Sequence, residues 1–102
     1  MSNTFYDDTV KLVKELILIN KKLIQIELQE SKELVKLIRI STTRSLTDEE
    51  QTKVKQQLLD VFKAIPSLAI FLLPGGAILL PIVLKFIPKL LPSAFDEDRI
   101  ED

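Results

Sequence analysis

The sequence predicts an all-α chain: a long amphipathic helix, then a second helix running into a proline-kinked transmembrane segment. Three observations carry that prediction. Neither Gly nor Pro occurs before Pro66. Apolar residues recur at helical spacing through residues 4–40. The 21 consecutive residues 64–84 carry no charge. Charges are segregated along the chain: residues 1–63 hold 11 of the 14 Lys/Arg and 10 of the 15 Asp/Glu. The chain divides accordingly into an amphipathic region over 1–46, a helix plus proline-rich apolar segment over 47–95, and an acidic tail over 96–102 expected to be disordered.

Residues 4–40 read as one helix. Thr4 suits an N-cap, and Asp7 complements the dipole of the first turn. One apolar stripe runs through Val10, Val13, Ile17, Ile24, Leu28, Val35 and Ile38. A neighbouring stripe runs through Leu12, Leu16, Ile19, Leu23, Ile26, Leu34 and Leu37, giving a wide apolar face. Its polar face mixes Lys with Glu, so packing against another helix, in this chain or a second copy, is favoured over lying on a membrane surface.

Residues 41–46 form a polar joint. Thr47-Asp48-Glu49-Glu50 then has the pattern of a capping box, in which the Thr47 hydroxyl and Glu50 carboxylate each accept from the other's backbone amide. A second helix is expected over 47–65, with Val54, Leu58, Leu59, Val61, Phe62 and Ile65 as its apolar positions.

The uncharged run 64–84, bracketed by Lys63 and Lys85, is about 31 Å long as a helix, matching a hydrocarbon core of roughly 30 Å. Two amphipathic helices can hardly cover an all-round apolar helix in 102 residues without oligomerisation, so insertion in a lipid bilayer is expected. Pro66, Pro74, Pro81, Pro88 and Pro92 punctuate the segment, and Gly75 and Gly76 follow Pro74. Each interior proline removes a helix hydrogen bond. In a continuous helix Pro74, Pro81 and Pro88, seven apart, share nearly one face. A single kinked span over 64–84 is favoured over a re-entrant hairpin with arms 65–73 and 77–91, because transmembrane helices tolerate Pro and Gly where neighbours repair the backbone. Lys53, Lys55 and Lys63 on one side balance Lys85, Lys89 and Arg99 on the other, and the Lys-rich N-terminal part tilts the expected topology toward N-terminus inside.

The composition excludes several classes. A net charge of −1 gives no basic surplus for DNA. The chain has no Cys and no His, which leaves no thiol or imidazole chemistry and no zinc site of the usual kinds. Ser41, Ser45, Ser67 and Ser93 therefore lack a His partner, and Gly75-Gly76 lacks the Lys-Ser/Thr of a phosphate loop. No enzyme activity, metal or cofactor is expected. The N-terminal residues read as neither a signal peptide nor an Arg-rich presequence. That points to a bacterial inner membrane, or a mitochondrial inner membrane in a eukaryote.

The run Leu46-Thr47, a helix ending in Phe62, Ile65-Pro66, Pro74, Leu80-Pro81, Lys85, Pro88 and Leu91-Pro92-Ser93-Ala94-Phe95 resembles the LETM family of leucine-zipper, EF-hand-containing transmembrane proteins. The proline intervals of 8, 7, 7 and 4, the Lys at position 85 and the closing Leu-Pro-Ser-x-Phe carry the resemblance, over residues 46–95. It implies a membrane protein of structural or interaction role linked to cation homeostasis. Two alternatives follow from the same resemblance: a cation/proton exchanger subunit acting as a homo-oligomer, and a membrane tether contacting ribosomes. The family pattern places an acidic residue three positions after the second of these prolines, where this chain has Ala77. An exchanger reading must then rely on carbonyls freed around Pro74 in place of a carboxylate. Asp96-Glu97-Asp98 lacks the ligand spacing and central Gly of an EF-hand loop.

Overall fold

Residues expected to form one helix over 4–40 are helical, but in three pieces. The computed structural model describes residues 4–95; the acidic tail 96–102 lies outside them. The pieces are α1 (Thr4–Ile19), α2 (Lys21–Glu30) and α3 (Lys32–Ser41). Both breaks fall at small polar residues whose side chains bond elsewhere, which offers the backbone an alternative to the helix. The Asn20 side-chain amide donates to the Leu16 carbonyl at 2.8 Å, and its backbone sits at φ −101°, ψ 16°. Ser31 leaves the helical region at φ −124°, ψ 81°, and its hydroxyl donates across to the Gln57 side-chain carbonyl at 2.8 Å.

The second break changes which stripe is covered. In α1 and α2 the first stripe is the buried one: Val13, Ile17, Ile24 and Leu28 are buried and Leu16 of the second stripe is half-buried, while Leu12, Ile19, Leu23 and Ile26 stay exposed. Beyond Ser31 both stripes are buried, as Leu34 and Leu37 join Val35 and Ile38. The reason is position: α3 packs against both α4 (Asp48–Ala64) and α5 (Leu80–Leu90), whereas α1 packs chiefly along α5.

The capping box forms as its pattern requires. The Glu50 amide donates to the Thr47 hydroxyl at 3.2 Å, and the Thr47 amide donates to the Glu50 carboxylate at 2.9 Å. Arg44 from the 41–46 joint adds a two-pronged contact, donating to both Glu50 oxygens at 2.9 Å. The guanidinium and the Thr47 amide together hold the Glu50 carboxyl at about 2, below its ordinary 4.5.

Helix α4 ends at Ala64 because Pro66 forces its predecessor out of the helical region; Ile65 is extended at φ −123°, ψ 100°. The chain then folds back on α4 as the 3-10 segment Pro66–Leu72, turns, and passes through Gly76–Leu79 into α5, which packs along α1. The core is continuous across all five α-helices and the 66–72 segment. The radius of gyration of 13.4 Å is close to the roughly 13 Å of a packed domain this long.

Candidate functional site

The apolar segment is the candidate site, and its five prolines fall into two classes. Pro66, Pro74 and Pro92 each start a new direction, following residues held out of the helix: Ile65 extended, Leu73 extended at φ −71°, ψ 156°, and Leu91 at φ −127°, ψ 55°. Pro81 and Pro88 lie inside α5. Pro81 occupies the first turn, where its missing amide hydrogen has no helical partner to lose. Pro88 sits in the last turn and removes the bond to the Leu84 carbonyl.

Between the two arms, Leu73-Pro74-Gly75-Gly76 is a tight turn. The Gly76 amide donates to the Leu73 carbonyl at 2.8 Å, and Gly75 takes φ +88°, ψ −12°. Proline second and a left-handed glycine third define a type II turn. Gly76 is required for a different reason: a Cβ there would lie 2.5 Å from the Phe71 carbonyl oxygen and 2.8 Å from its carbon.

The expected proline-kinked segment is present, as a helix pair broken at this turn rather than one continuous helix. Segments Pro66–Leu72 and Gly76–Leu90 are bent by 106° about the turn, and among the described residues no single helix is long and apolar enough to cross a membrane. The physical cause is the pairing of Pro74 with a positive-φ glycine, which turns the chain where proline alone would only kink it. Pro74 therefore does not share a helix face with Pro81 and Pro88. The turn falls where the hairpin alternative placed it.

The two arms are amphipathic in burial though not in chemistry. Leu68, Phe71, Leu80, Val83, Ile87 and Leu91 point inward, and the Phe71 ring meets Phe62 with centroids 4.7 Å apart. In the 3-10 segment residues three apart eclipse one another, which puts Leu68 and Phe71 on one side. Ile70, Leu72, Leu73 and Ile78 remain exposed around the turn, Leu73 at 59% and Ile78 at 76%. They form an uncharged, apolar tip.

The closing motif anchors the segment's far end. Ser93 accepts from the Gln25 side-chain amide at 3.1 Å, and the Phe95 carbonyl accepts from Arg39 at 3.0 Å, tying Pro92–Phe95 to α2 and α3. On the other arm the Ser67 hydroxyl donates to the buried Asn20 carbonyl oxygen at 2.6 Å. Lys85 is exposed, with its ammonium 5.6 Å from the Phe86 ring centroid. Sequence reasoning missed two participants, Asn20 and Lys14. The first had a signal: intervals of 4, 3, 4 and 4 put Val13, Ile17, Asn20, Ile24 and Leu28 on one buried face. Lys14 had none, because only the docking of α1 on α5 brings its ammonium 4.6 Å from the Phe86 centroid.

A groove of about 730 Å³ lies between the 41–46 joint, α4 and the start of α5. Leu46, Val54, Leu58, Leu80 and Leu84 form apolar parts of its wall, with Ala77 beside them. Ala77, the position where the resemblance implied an acid, thus lines this groove.

Residues 46–102 match the family model described as "LETM1-like, RBD". The chain is 31% identical over 78 residues to the mitochondrial LETM1 domain-containing protein YLH47 of Saccharomyces cerevisiae, covering 76% of this chain and 17% of that protein. It is 32% identical over 78 residues to the mitochondrial LETM1 domain-containing protein mdm28 of Schizosaccharomyces pombe, covering 76% and 16%. It is 34% identical over 59 residues to the mitochondrial proton/calcium exchanger protein of Drosophila melanogaster, covering 58% and 6%. The chain thus spans about a sixth of the length of the two yeast relatives and less of the fly protein. These relatives are mitochondrial proteins, which gives the bacterial alternative no support. No solved structure matches the chain. The matched residues include every proline of the register, and the chain belongs to the LETM1-like, RBD family.

Proposed function

We propose that the chain is the membrane element of a LETM-like integral membrane protein, with a structural or interaction role linked to cation homeostasis. The observation that carries this reading is the bent pair Pro66–Leu72 and Gly76–Leu90, which passes as a broken span or re-entrant loop by length and composition. Its tip of Ile70, Leu72, Leu73 and Ile78 is exposed and uncharged. Neither arm crosses the hydrocarbon core alone, so a re-entrant hairpin is the arrangement we favour. The location is a membrane, in a eukaryote the mitochondrial inner membrane. The test is alkaline-carbonate extraction of membranes carrying the tagged chain, with Cys at position 73 or 78 probed by a membrane-impermeant maleimide. Retention in the pellet with both positions protected is the expected result. Release into the supernatant, or full labelling, refutes insertion.

The name of the fly relative favours a second reading, a homo-oligomeric cation/proton exchanger subunit. Its difficulty is local. The carbonyl that Pro74 would free belongs to Ile70, and that oxygen already accepts from the Leu73 amide at 3.3 Å. Proton-coupled calcium flux in vesicles reconstituted with the chain would establish this reading. Absence of flux from oriented, inserted protein removes it. Ribosome tethering draws on the RBD description of the family, and salt-dependent cosedimentation with ribosomes tests it.

A further inference from the structure

Three ammonium groups converge on one aromatic ring. The Lys14 Nζ lies 4.6 Å from the Phe86 centroid, and the Lys85 and Lys89 Nζ atoms each lie 5.6 Å from it. Gathered around one ring, their like charges repel one another. Among the described residues no carboxylate stands one helical turn from any of them on its own helix. The residues three and four positions from Lys14 are Val10, Lys11, Ile17 and Leu18. Those around Lys85 and Lys89 are Pro81, Ile82, Phe86, Pro88, Pro92 and Ser93. The ion pairs among the described residues are Arg44–Glu50 and Lys53–Glu33, and neither involves this trio. The negative face of the Phe86 ring offsets part of the repulsion. The remaining positive charge calls for an anion.

We propose that Lys14, Lys85 and Lys89 form a seat for the phosphate of an anionic phospholipid headgroup. The proposal rests on the membrane reading of residues 66–90 and adds the lipid chemistry that the element selects. Lys85 is the first charged residue after the uncharged run 64–84, and Lys89 lies one turn beyond. A segment entering a bilayer puts its first flanking lysines at phosphate depth, with their methylene stems along apolar surface. The fold supplies the third charge from α1. Lys11 and Lys21, three residues before and seven after Lys14, continue the same flank. Nucleic acid fits less well. Single strands are held by stacking bases on open aromatic faces, and Phe86 is half-buried between helices with ammoniums around it.

The test is co-flotation of the full chain with limiting phosphatidylcholine vesicles, with and without a minor fraction of phosphatidylglycerol. Carbonate resistance of the floated protein is read separately. The expected result is tighter association with the anionic vesicles. Lys14→Ala should weaken that preference about fivefold, the factor expected for one lysine at an anionic surface. Lys14→Arg should keep it, and Lys53→Ala, which removes the same charge from α4, should not change it. The triple alanine variant should show no preference. Equal, carbonate-resistant association with both vesicles overturns the headgroup site and leaves the membrane reading standing. No association with either vesicle overturns both. Release from anionic vesicles by inorganic phosphate at the same phosphate concentration assigns the site to free phosphate instead. A Lys14-dependent shift of single-stranded RNA, without lipid preference, assigns it to nucleic acid.

Discussion

Adding one methyl group at Gly76 should damage this fold more than adding one at Gly75, although only Gly75 has an unusual backbone conformation. At Gly75 the new Cβ meets nothing within 4 Å, so the cost is that of holding an L-residue at φ +88°, roughly 1–2 kcal/mol. At Gly76 the Cβ would stand 2.5 Å from the Phe71 oxygen, 2.8 Å from its carbon and 3.1 Å from the Ile70 oxygen. Those are backbone atoms and cannot rotate away, so the 66–72 arm must retreat. Retreat stretches the Leu73–Gly76 hydrogen bond that closes the turn and moves Phe71 off Phe62. A lost hydrogen bond contributes about 1 kcal/mol, and strain of the overpacking kind about 1–3 kcal/mol. The expected order of destabilisation is Gly76→Ala, then Gly75→Ala, then Gly75→Asn, since Asn tolerates the left-handed region better. At about 4–8 °C per kcal/mol the first two should separate clearly in thermal unfolding followed by far-ultraviolet circular dichroism. A Gly76→Ala protein that melts with the wild type, or a Gly75→Ala protein that melts below the Gly76→Ala protein, refutes the close approach of Gly76 to Phe71.

Further predictions concern the cap, the core and the buried amide. Thr47→Ala should cost about 1 kcal/mol in urea unfolding, as one half of the capping box is lost. Glu50→Gln should lower the melting temperature at neutral pH. The wild-type carboxyl is held near 2 when folded against an ordinary 4.5, so its contribution is complete above about 4.5 and fades as pH falls toward 2. The two melting curves should therefore converge in acid; a gap that persists at low pH contradicts the Arg44–Glu50 contact as its source. Phe71→Ala should cost about 3–5 kcal/mol, since the ring is 1% exposed and packed on Phe62. Ser67→Ala should cost about 1–3 kcal/mol by leaving the Asn20 carbonyl oxygen without its donor.

Legibility in the sequence followed the range of the interaction. The α4 start was readable because the capping box is closed within four consecutive residues, 47–50. The stop at Ala64 was readable to within a residue because Pro66 constrains its immediate neighbour. The breaks at Asn20 and Ser31 were harder to read, because neither Gly nor Pro marks them. Of the partners their side chains take, Leu16 is local but Ser67 and Gln57 are distant in sequence. The proline register was legible as a register and misleading as geometry. Spacing by seven predicts one shared face only if the helix continues, and Pro74 followed by two glycines ends it. The Phe86 cluster lay beyond sequence reasoning in the same way, since α1 and α5 meet only in the folded chain.

The packed arrangement and an inserted one place opposite demands on the same residues. Folded as described, the 66–90 segment covers Val13, Ile17, Val61 and Phe62 with Leu68, Phe71, Val83 and Ile87, and leaves Ile70, Leu72, Leu73 and Ile78 exposed. A bilayer would accept those exposed side chains, each fully buried apolar side chain contributing about 1.5–3 kcal/mol. If the whole segment moved into lipid, however, α1 and α4 would lose their cover and need another copy or partner helix to replace it. Shallow insertion of the tip alone leaves the core intact and needs no partner. The two routes are separable with Asn20→Cys and Ser67→Cys in one chain, bridged by a short bis-maleimide; the wild type has no cysteine to interfere. The bridge holds the 66–72 arm on the α1–α2 junction. If the bridged chain still resists carbonate, insertion proceeds with the core closed and the tip does the anchoring. If only the unbridged chain resists, the segment must leave α1 and α4 to enter the bilayer. Crosslinked oligomers should then accompany insertion, because the uncovered faces of Val13, Ile17, Val61 and Phe62 would have to pair with another helix.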